Sequence, residues 1–474
     1  MIQSYQNSVD KVKYLTPERH VFSLRTTFGL CVGDALQDKV PGREDVTVYC
    51  AALRYPVAKS KQGLTLVLTH GLASHKESYQ PTIADLLQLN AAGTRYVNMI
   101  KEIWTIDMPN HGESAVLNRT YLEDRRERGR KEGWDGKCTT MDFSSYLNAF
   151  LSIPQLRGHK VVGIAHSGSS TPWHVPSHLS HLPPSLTHLP STHLCNRNVH
   201  NTYPRAHAFT LLDHDHPHPF ALIFIEPVLM FPGMSSTDPR VVHSTANMRG
   251  ALGKRDKWTN RAEAKRWLLG IQGKSPMVGR DKQRDIDING SPKWTGSGSR
   301  SVESVNRNIR NTNGNGKARG KTLWSNWDDQ ALDLFVEHAL EDVFEPTPSL
   351  EGSANSTMAT RKSRLYVRSM ARKEEESSLY AHSQHTVEPV HLTHMCTALG
   401  GLHIMWAESE EYISKSTRAD ILEATSYRVR SNRVVPGSGH LVPQETPREL
   451  AEALYDVLVG HVAVVAGVMM RASL

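Results

Sequence analysis

The sequence of 474 residues contains few cysteines, and their spacing is neither that of paired cysteines nor that of a metal site. There are five, an odd number, at positions Cys31, Cys50, Cys138, Cys195 and Cys396. Disulfide frameworks generally use an even number of cysteines, and zinc sites place them about two to four residues apart. We therefore expect neither disulfides nor a metal cluster, which is typical of a protein in a reducing compartment.

The sequence also lacks a long apolar run. Residues 1–14 are polar and do not resemble a secretory signal. The most apolar stretch near the end, residues 457–470, is shorter than a membrane span and contains His461. We expect no membrane association and a cytoplasmic location. The last three residues, Ala-Ser-Leu, resemble a peroxisomal S-K-L ending without its central basic residue, so a peroxisomal location is the alternative.

The basic excess of the chain is confined to one segment. The formal net charge is +7, from 55 Lys and Arg against 48 Asp and Glu. Residues 272–320 hold ten of the basic residues and only four of the acidic ones, so the remainder is close to neutral. A folded domain that binds nucleic acid usually carries a basic patch on its surface, and the remainder of this chain has no such excess of basic residues. We therefore expect no nucleic-acid partner.

Two segments differ in composition from the rest of the chain. Residues 172–219 are rich in proline and contain ten of the 25 histidines, and residues 272–320 are rich in asparagine, glycine and serine. Such compositions are typical of disorder, and the prolines would interrupt a helix after residue 167. We interpret each segment as a disordered insertion or a translated intron, and a transcript that runs through it without a gap would contradict the intron origin. The cluster His214–His218 offers possible ligands, but we expect no metal site there because its composition promises no fixed geometry.

Elsewhere, short apolar strands alternate with helical stretches. The predicted strands cover residues 64–69, 102–106, 161–165, 220–225, 401–406 and 427–435. This alternation predicts a parallel sheet wound by crossover helices, in the α/β class. In such sheets the functional residues lie at the carboxyl ends of the strands, and the polar residues of interest all follow a predicted strand.

Ser167 follows the strand over residues 161–165 and has small neighbours, Ala165 and Ser169, two positions away on each side. A serine at a sharp turn between a strand and a helix is exposed to an incoming carbonyl group, and small flanking residues permit that turn. The usual pattern, G-x-S-x-G, has glycines at both flanking positions. We predict that Ser167 is a nucleophile.

Four pieces of sequence resemble one family. They are His70-Gly71, Asp107 with His111-Gly-Glu-Ser114, the turn around Ser167, and Gly437-Ser-Gly-His440 through Pro447. The chain resembles α/β-hydrolases of the AB hydrolase-1 type over roughly residues 20–270 and 320–460, and most resembles fungal hydrolases of toxin and secondary-metabolite biosynthesis. This resemblance implies an α/β-hydrolase fold, with a mostly parallel central sheet flanked by helices and a helical cap inserted after strand 6.

The resemblance also implies a division of the chain. Residues 1–226 form the first part of the hydrolase core, residues 227–399 the helical cap, and residues 400–474 the C-terminal part of the core. Within the cap, apolar spacing predicts helices over residues 256–269 and 328–343.

A serine nucleophile needs a base within hydrogen-bond reach, and the base needs a carboxylate that holds its tautomer. His440 is the predicted base, because it follows the last strand in a loop with glycines on either side. For the acid we favour Glu410, which matches the family's position after the strand over residues 401–406. Glu226, at the end of the preceding strand, is the alternative, and both obey the order serine, acid, histidine.

The resemblance implies an oxyanion hole formed by the backbone N–H groups of Leu72 and Gly168. Gly71 leaves room for close approach, and His70 supports the turn. We expect His166 to be a packing residue. Asp107, His111 and Ser114 are expected to order the loop after their strand.

These residues predict a serine hydrolase that cleaves ester, thioester or lactone bonds in a partly apolar small molecule through an acyl-enzyme, without a cofactor or metal. The partner is then a small-molecule substrate. The alternative is a catalytically impaired hydrolase-fold protein that binds a small ligand or a protein partner. The missing glycines beside Ser167 and the prolines after it favour that alternative.

Overall fold

The computed structural model describes residues 16–29, 43–57, 63–92, 99–173, 219–271, 322–346, 363–381, 386–397 and 400–463. Within these ranges no helix is long and apolar enough to cross a membrane. Of the segment 172–219 only residues 172, 173 and 219 are described, and the segment 272–320 lies entirely outside the described ranges, as do His214–His218 and the chain end. Cys50, Cys138 and Cys396 are free and buried.

Eleven strands form two sheets in the described part of the chain. They are β1 (Glu18–Gly29), β2 (Arg43–Pro56), β3 (Leu64–Thr69), β4 (Ile100–Ile106), β5 (Lys160–His166), β6 (Ala221–Ile225), β7 (Lys257–Trp258), β8 (Leu340–Pro346), β9 (Ser363–Ser369), β10 (Leu402–Ala407) and β11 (Ser431–Val435). The larger sheet has eight strands in the order β1-β2-β4-β3-β5-β6-β10-β11. The first two pairings are antiparallel and the remaining five are parallel. The predicted mostly parallel sheet is confirmed.

The central strands are buried on both faces. All six residues of β3 are buried, with β4 on one side and β5 on the other. Along β3, Val67 packs into one core, and its neighbours Leu66 and Leu68 pack into the other. Side chains of a strand alternate between the faces of a sheet, so an uninterrupted apolar strand needs covering layers on both sides.

Helices supply these covering layers. They are α1 (Gln80–Ala92), α2 (Gly112–Leu117), α3 (Arg119–Glu132), α4 (Thr140–Leu151), α5 (Pro239–Gly253), α6 (Arg261–Leu268), α7 (Asp329–His338), α8 (Lys373–Leu379), α9 (Pro389–Met395), α10 (Lys415–Ala424), α11 (Val442–Glu445) and α12 (Pro447–Val457). Ile83 of α1 and Leu454 of α12 belong to one core, and Leu147 of α4 and Ile421 of α10 belong to the other. The sheet is therefore the middle layer of three.

The insertion after strand 6 contains helices, as expected, together with a small sheet that the sequence did not suggest. This insertion, residues 226–401 between β6 and β10, carries α5 to α9 and the antiparallel sheet β7-β9-β8. The expected helix over residues 328–343 was wrong at its end, because α7 stops at His338 and the next residues form β8. The expected helix over 256–269 was wrong at its start, because residues 257–258 pair with β9 and Asn260 caps α6. Strand pairing across the insertion overrides the local helical pattern.

The chain divides into two compact units. One comprises Met1–Ala264 with Asn326–Leu474, and the other comprises Lys265–Ser325. Within the second, the rings of Trp267 and Trp324 lie 5.7 Å apart, and Thr322 donates to the carbonyl of Leu268. Both sheets and the site described below belong to the first unit.

A buried ion cluster joins the loops that follow β3 and β4. The ammonium of Lys76 lies 2.8 Å from Glu77, 3.0 Å from Asp107 and 3.1 Å from Glu113. Burial lowers the pKa of Lys76, but the carboxylates of Asp107 and Glu77 raise it by more, so the amine stays charged. A buried charge is stable only when it is paired, and this cluster therefore holds the two loops together.

Candidate active site

Ser167 lies at a strained turn between β5 and a short 3-10 helix, Ser167–Trp173. Its φ of 56° is in the left-handed region, which residues other than glycine rarely occupy. The residue is 8% exposed. Backbone strain of this kind costs about 1–3 kcal/mol and is concentrated at functional sites, where it re-aims a side chain.

The two residues that replace glycines beside Ser167 fit the turn. Ala165 is fully buried on β5, where its methyl group belongs to the core. The hydroxyl of Ser169 lies 3.0 Å from the carbonyl oxygen of Thr69 and accepts from the backbone N–H of His166 at 3.1 Å. The turn therefore accepts alanine and serine at the two positions where glycine is usual, and the Ser169 hydroxyl adds hydrogen bonds there.

The imidazole of His440 reaches this turn from the loop after β11. Its Nε2 lies 2.9 Å from the Oγ of Ser167. Gly437, with a φ of 71°, permits the loop to turn back over the sheet edge. Glu408 accepts a hydrogen bond from the N–H of Gly437 at 2.8 Å and helps to fix the loop. The structure brings Ser167 and His440 together.

Glu226 is the carboxylate in contact with His440. Its Oε2 lies 3.1 Å from Nδ1 of the imidazole, and its Oε1 accepts from the N–H of Ala407 at 2.7 Å. The residue is fully buried and, like Ser167, has a positive φ, here 45°. The guanidinium of Arg418 lies 3.5 Å from Oε1 and offsets part of the buried charge. A carboxylate in this position favours the tautomer with hydrogen on Nδ1, which leaves Nε2 free to accept from Ser167.

Glu410, the favoured acid, does not contact His440, and this assignment is corrected. Its carboxylate is 39% exposed and faces Lys415 at 3.6 Å. It lies in the segment between β10 and α10, which Arg418 holds by donating to the carbonyls of Ser409 and Ile413. That path turns Glu410 outward, whereas the strained turn at Glu226 directs the alternative carboxylate inward.

Tyr412 forms a wall of the site that the sequence analysis missed. Its ring stacks on the imidazole of His440 with centroids 3.7 Å apart and planes 22° apart. Asn247 of α5 donates to the Tyr412 hydroxyl at 2.6 Å. Burial raises the pKa of Tyr412 to about 12, so the phenol stays neutral. No sequence pattern singles out Tyr412. It lies three residues before the start of α10, where an aromatic residue is not distinctive.

His166 has a more specific position than the expected packing role. Its Nε2–H donates to the carbonyl oxygen of His440 at 2.9 Å, so it holds the backbone of the residue whose ring contacts Ser167. Burial lowers the pKa of His166 to about 3, with a further lowering by the nearby His440 ring. The ring therefore remains a neutral hydrogen-bond donor at physiological pH.

The loop after β3 lies against the same turn. A side chain at Gly71 would come 2.7 Å from the ring of His166 and 3.4 Å from Ser167, so this close approach requires glycine. His70 donates from Nδ1 to the carbonyl of Gly71 at 2.8 Å and accepts the N–H of Met108 at 3.1 Å. The ring of His70 therefore shapes the turn, and burial lowers its pKa to about 3.

Three polar residues after β4 order the loop, as expected. Asp107 accepts from the N–H groups of Lys76 at 2.8 Å and Glu113 at 2.9 Å. His111 accepts the N–H of Ala73 at 3.3 Å, and Ser114 accepts the N–H of Ala51 at 2.9 Å. None of these contacts reaches Ser167, so their effect is to fix the backbone around Leu72.

A pocket opens beside Ser167. Its described lining residues are Leu72, Ser167, Gly168, Val228, Met230, Arg240, His243, Ser244, Tyr380, Tyr412 and Ile413. The two residues predicted for the oxyanion hole, Leu72 and Gly168, therefore lie beside the serine. Helix α5 of the insertion supplies the polar part of the wall. Among the described residues, no group of three or more His, Cys, Asp or Glu side chains could hold a metal ion.

Residues 66–453, which include every side chain that contacts His440 here, match a family described as the alpha/beta hydrolase family. The chain belongs to the alpha/beta hydrolase family. This α/β-hydrolase has the strand order, the turn at the end of β5 and the histidine loop after β11 described above. No curated protein matches its sequence.

Solved structures resemble this α/β-hydrolase at low sequence identity. The peroxisomal alpha-beta-hydrolase Lpx1 from Saccharomyces cerevisiae is 14% identical, with 94% of this chain and 90% of that chain covered and a TM-score of 0.51. An M. tuberculosis esterase is 11% identical, with 96% and 97% covered and a TM-score of 0.45. The first of these likenesses shows the shared fold.

The buried neutral histidines predict that stability falls as the pH falls below 6.5. His70 and His166 have pKa values of about 3 in the folded protein, against about 6.5 in an unfolded chain. Between these values the unfolded state binds more protons, so each histidine lowers the free energy of unfolding by about 2 kcal/mol from pH 6.5 to pH 5. Urea unfolding at pH 7.5, 6.5 and 5.0 measures this slope.

Replacing one of the rings separates this effect from general acid sensitivity. In His70→Gln, the free energy of unfolding is expected to depend less on pH between 6.5 and 5, whatever its absolute value. His20→Gln, at a partly exposed ring on β1, is the control and should keep the wild-type slope. Equal slopes in His70→Gln and the wild type would contradict the prediction.

Proposed function

We propose that this α/β-hydrolase is a serine hydrolase of ester, thioester or lactone bonds in a partly apolar small molecule. The single observation that carries the proposal is the chain of two contacts through one imidazole. Ser167 lies 2.9 Å from Nε2 of His440, and Glu226 lies 3.1 Å from its Nδ1. A hydroxyl, a base and a carboxylate in this order form the arrangement that activates serine in hydrolases on several unrelated folds.

In the first step, Ser167 Oγ attacks the carbonyl carbon of the substrate while Nε2 of His440 takes its proton. The carboxylate of Glu226 stabilises the imidazolium that forms and keeps Nδ1 protonated throughout. Stacking on Tyr412 and the hydrogen bond from His166 hold the ring and the backbone of His440. The tautomer and the orientation are therefore both set before the substrate arrives.

The tetrahedral intermediate then collapses. His440 returns its proton to the leaving alcohol, thiol or ring oxygen, which leaves an acyl group on Ser167. Water attacks this acyl-enzyme while His440 takes its proton. The second tetrahedral intermediate then breaks its bond to Oγ of Ser167, His440 returns the proton to Oγ, and the acid product leaves. The oxyanion of both intermediates needs fixed donors, and we assign these to the N–H groups of Leu72 and Gly168, which line the pocket beside Ser167.

Part of the pocket wall is apolar, through Leu72, Val228, Met230 and Ile413. This wall supports a substrate with an apolar portion, because apolar side chains gain from removing such a group from water. The resemblance to fungal hydrolases of secondary metabolism favours a secondary-metabolite-like ester. From the sequence we also propose a cytoplasmic location, with a peroxisomal location as the alternative.

A fluorophosphonate probe tests the proposal directly, because it phosphonylates only an activated serine. We expect stoichiometric labelling, located on the peptide that contains Ser167 by mass spectrometry, and no labelling of Ser167→Ala. A folded protein that is not labelled would contradict the proposal and support the alternative, a hydrolase-fold protein that binds without catalysis.

The two candidate acids predict opposite kinetic outcomes. Glu226→Gln should lower kcat/KM for p-nitrophenyl butyrate by about 10³- to 10⁴-fold, because an amide stabilises neither the Nδ1–H tautomer nor the imidazolium. Glu410→Gln is the matched control and should stay within about twofold of the wild type, since its carboxylate faces solvent and Lys415. Initial rates and thermal unfolding are measured for both variants. A large loss in Glu410→Gln with little loss in Glu226→Gln would reverse the assignment.

A further inference from the structure

Helix α5 turns a polar face toward the pocket. The residues of this face, at spacings of three and four, are Arg240, His243, Ser244 and Asn247. The first three line the pocket, and the fourth bonds to the Tyr412 hydroxyl. In contrast, Val242 and Leu252 on the same helix are 49% and 47% exposed. Val241 and Ala251 of the same helix are buried, so the helix packs by a mixed face, and each buried polar atom on it needs a hydrogen-bond partner.

Arg240 is the most constrained residue of this face. It is 8% exposed, and its guanidinium plane lies over the ring of Phe231, 5.5 Å from the centroid. Nε and Nη2 donate to Asp238 at 3.0 and 2.9 Å, and Nη2 also donates to Asp420 at 2.9 Å. The third nitrogen, Nη1, is buried and has no hydrogen-bond partner in the described structure.

A buried donor without a partner destabilises the folded protein, and more so when it belongs to a charged group. A ligand acceptor that bonds to it removes that loss. The three hydrogen bonds of Nε and Nη2 already hold the guanidinium in place. The side chain of Arg240 therefore loses little further conformational freedom when an acceptor binds to Nη1. The Nδ1 of His243, one turn further along the same pocket wall, is also buried without a partner. Two unsatisfied polar atoms on one wall point to a ligand with a polar group at that place.

The local charge selects the kind of acceptor. The single positive charge of Arg240 faces two carboxylates, Asp238 and Asp420, so the group as a whole is not cationic. A third carboxylate would meet net repulsion, whereas a ketone, hydroxyl or amide oxygen accepts the hydrogen bond without adding charge.

From these observations we infer that Nη1 of Arg240 binds an uncharged oxygen of the substrate, a second one besides the oxygens of the scissile ester. The substrate class is then oxo- or hydroxy-substituted esters and lactones. Arg240 acts as a specificity-determining residue and takes no part in bond cleavage. This inference rests on the proposed function, because it places the ester at Ser167 in the same pocket.

Chromogenic esters of one chain length test the inference. The probes are p-nitrophenyl hexanoate, its 4-oxo and 5-oxo derivatives, and the p-nitrophenyl monoester of adipic acid. For the wild type we expect kcat/KM of at least one oxo ester to exceed that of hexanoate by roughly tenfold or more. The adipate monoester should not be preferred. Preference for the adipate carboxylate over both oxo esters would overturn the inference.

Variants assign the preference to Arg240. In Arg240→Met the ratio of kcat/KM for the oxo ester to kcat/KM for the hexanoate should fall. It should come close to the ratio of the spontaneous hydrolysis rates of the same two esters. Arg240→Lys retains the charge between Asp238 and Asp420 but lacks the second N–H edge, so it should show the same loss if Arg240→Met folds poorly. The control Arg249→Met, at an exposed position of the same helix, should keep the wild-type ratio. An unchanged ratio in both Arg240 variants would overturn the inference.

A binding measurement separates this inference from the proposed function. Ser167→Ala cannot acylate, so calorimetric titration with methyl 5-oxohexanoate, methyl 4-oxohexanoate and methyl hexanoate reports binding alone. Tighter binding of an oxo ester that disappears in Ser167→Ala/Arg240→Met supports the inference, even if the fluorophosphonate probe fails to label Ser167. Equal binding of all three esters overturns it, even if Ser167 is labelled.

Discussion

The candidate site depends on the imidazole of His440, which lies between a hydroxyl and a carboxylate that follow neighbouring strands. Ser167 and Glu226 follow β5 and β6, and both have a positive φ, so two strained turns stand side by side at the sheet edge. Each turn is stabilised by contacts across the sheet, such as the N–H of Ala407 on Glu226 and the hydroxyl of Ser169 on Thr69. The proposed chemistry needs both turns, because each aims one side chain at His440.

The sequence was informative where chemistry and local pattern coincide. The strand over residues 64–69, the serine at a strand end and the glycine-flanked His440 each have a local signature. The choice between Glu226 and Glu410 has none, since both carboxylates follow a strand in the correct chain order. Backbone torsion at Glu226 and the path fixed by Arg418 decide which one reaches the ring, and both depend on contacts distant in sequence.

The insertion after β6 shows a similar limit. The sequence predicts its helices from apolar spacing, but the pairing of β7, β9 and β8 joins segments that lie far apart in the chain. No local pattern in residues 340–346 distinguishes a strand from the end of α7. By contrast, the polar face of α5 was readable in principle, because Arg240, His243, Ser244 and Asn247 have helical spacing while Val242 and Leu252 lie outside that face. The link between this face and a ligand depends on the pocket, which Arg240, His243 and Ser244 line only in the folded protein.

The most direct test of the central contact is the proton on Nδ1 of His440, observed by proton NMR in water. A hydrogen bond to a buried carboxylate should move this resonance far downfield. Glu226→Gln should remove it from that region, and Glu410→Gln should leave it in place. A downfield resonance that survives Glu226→Gln and disappears in Glu410→Gln would contradict the arrangement of Ser167, His440 and Glu226 on which the account rests.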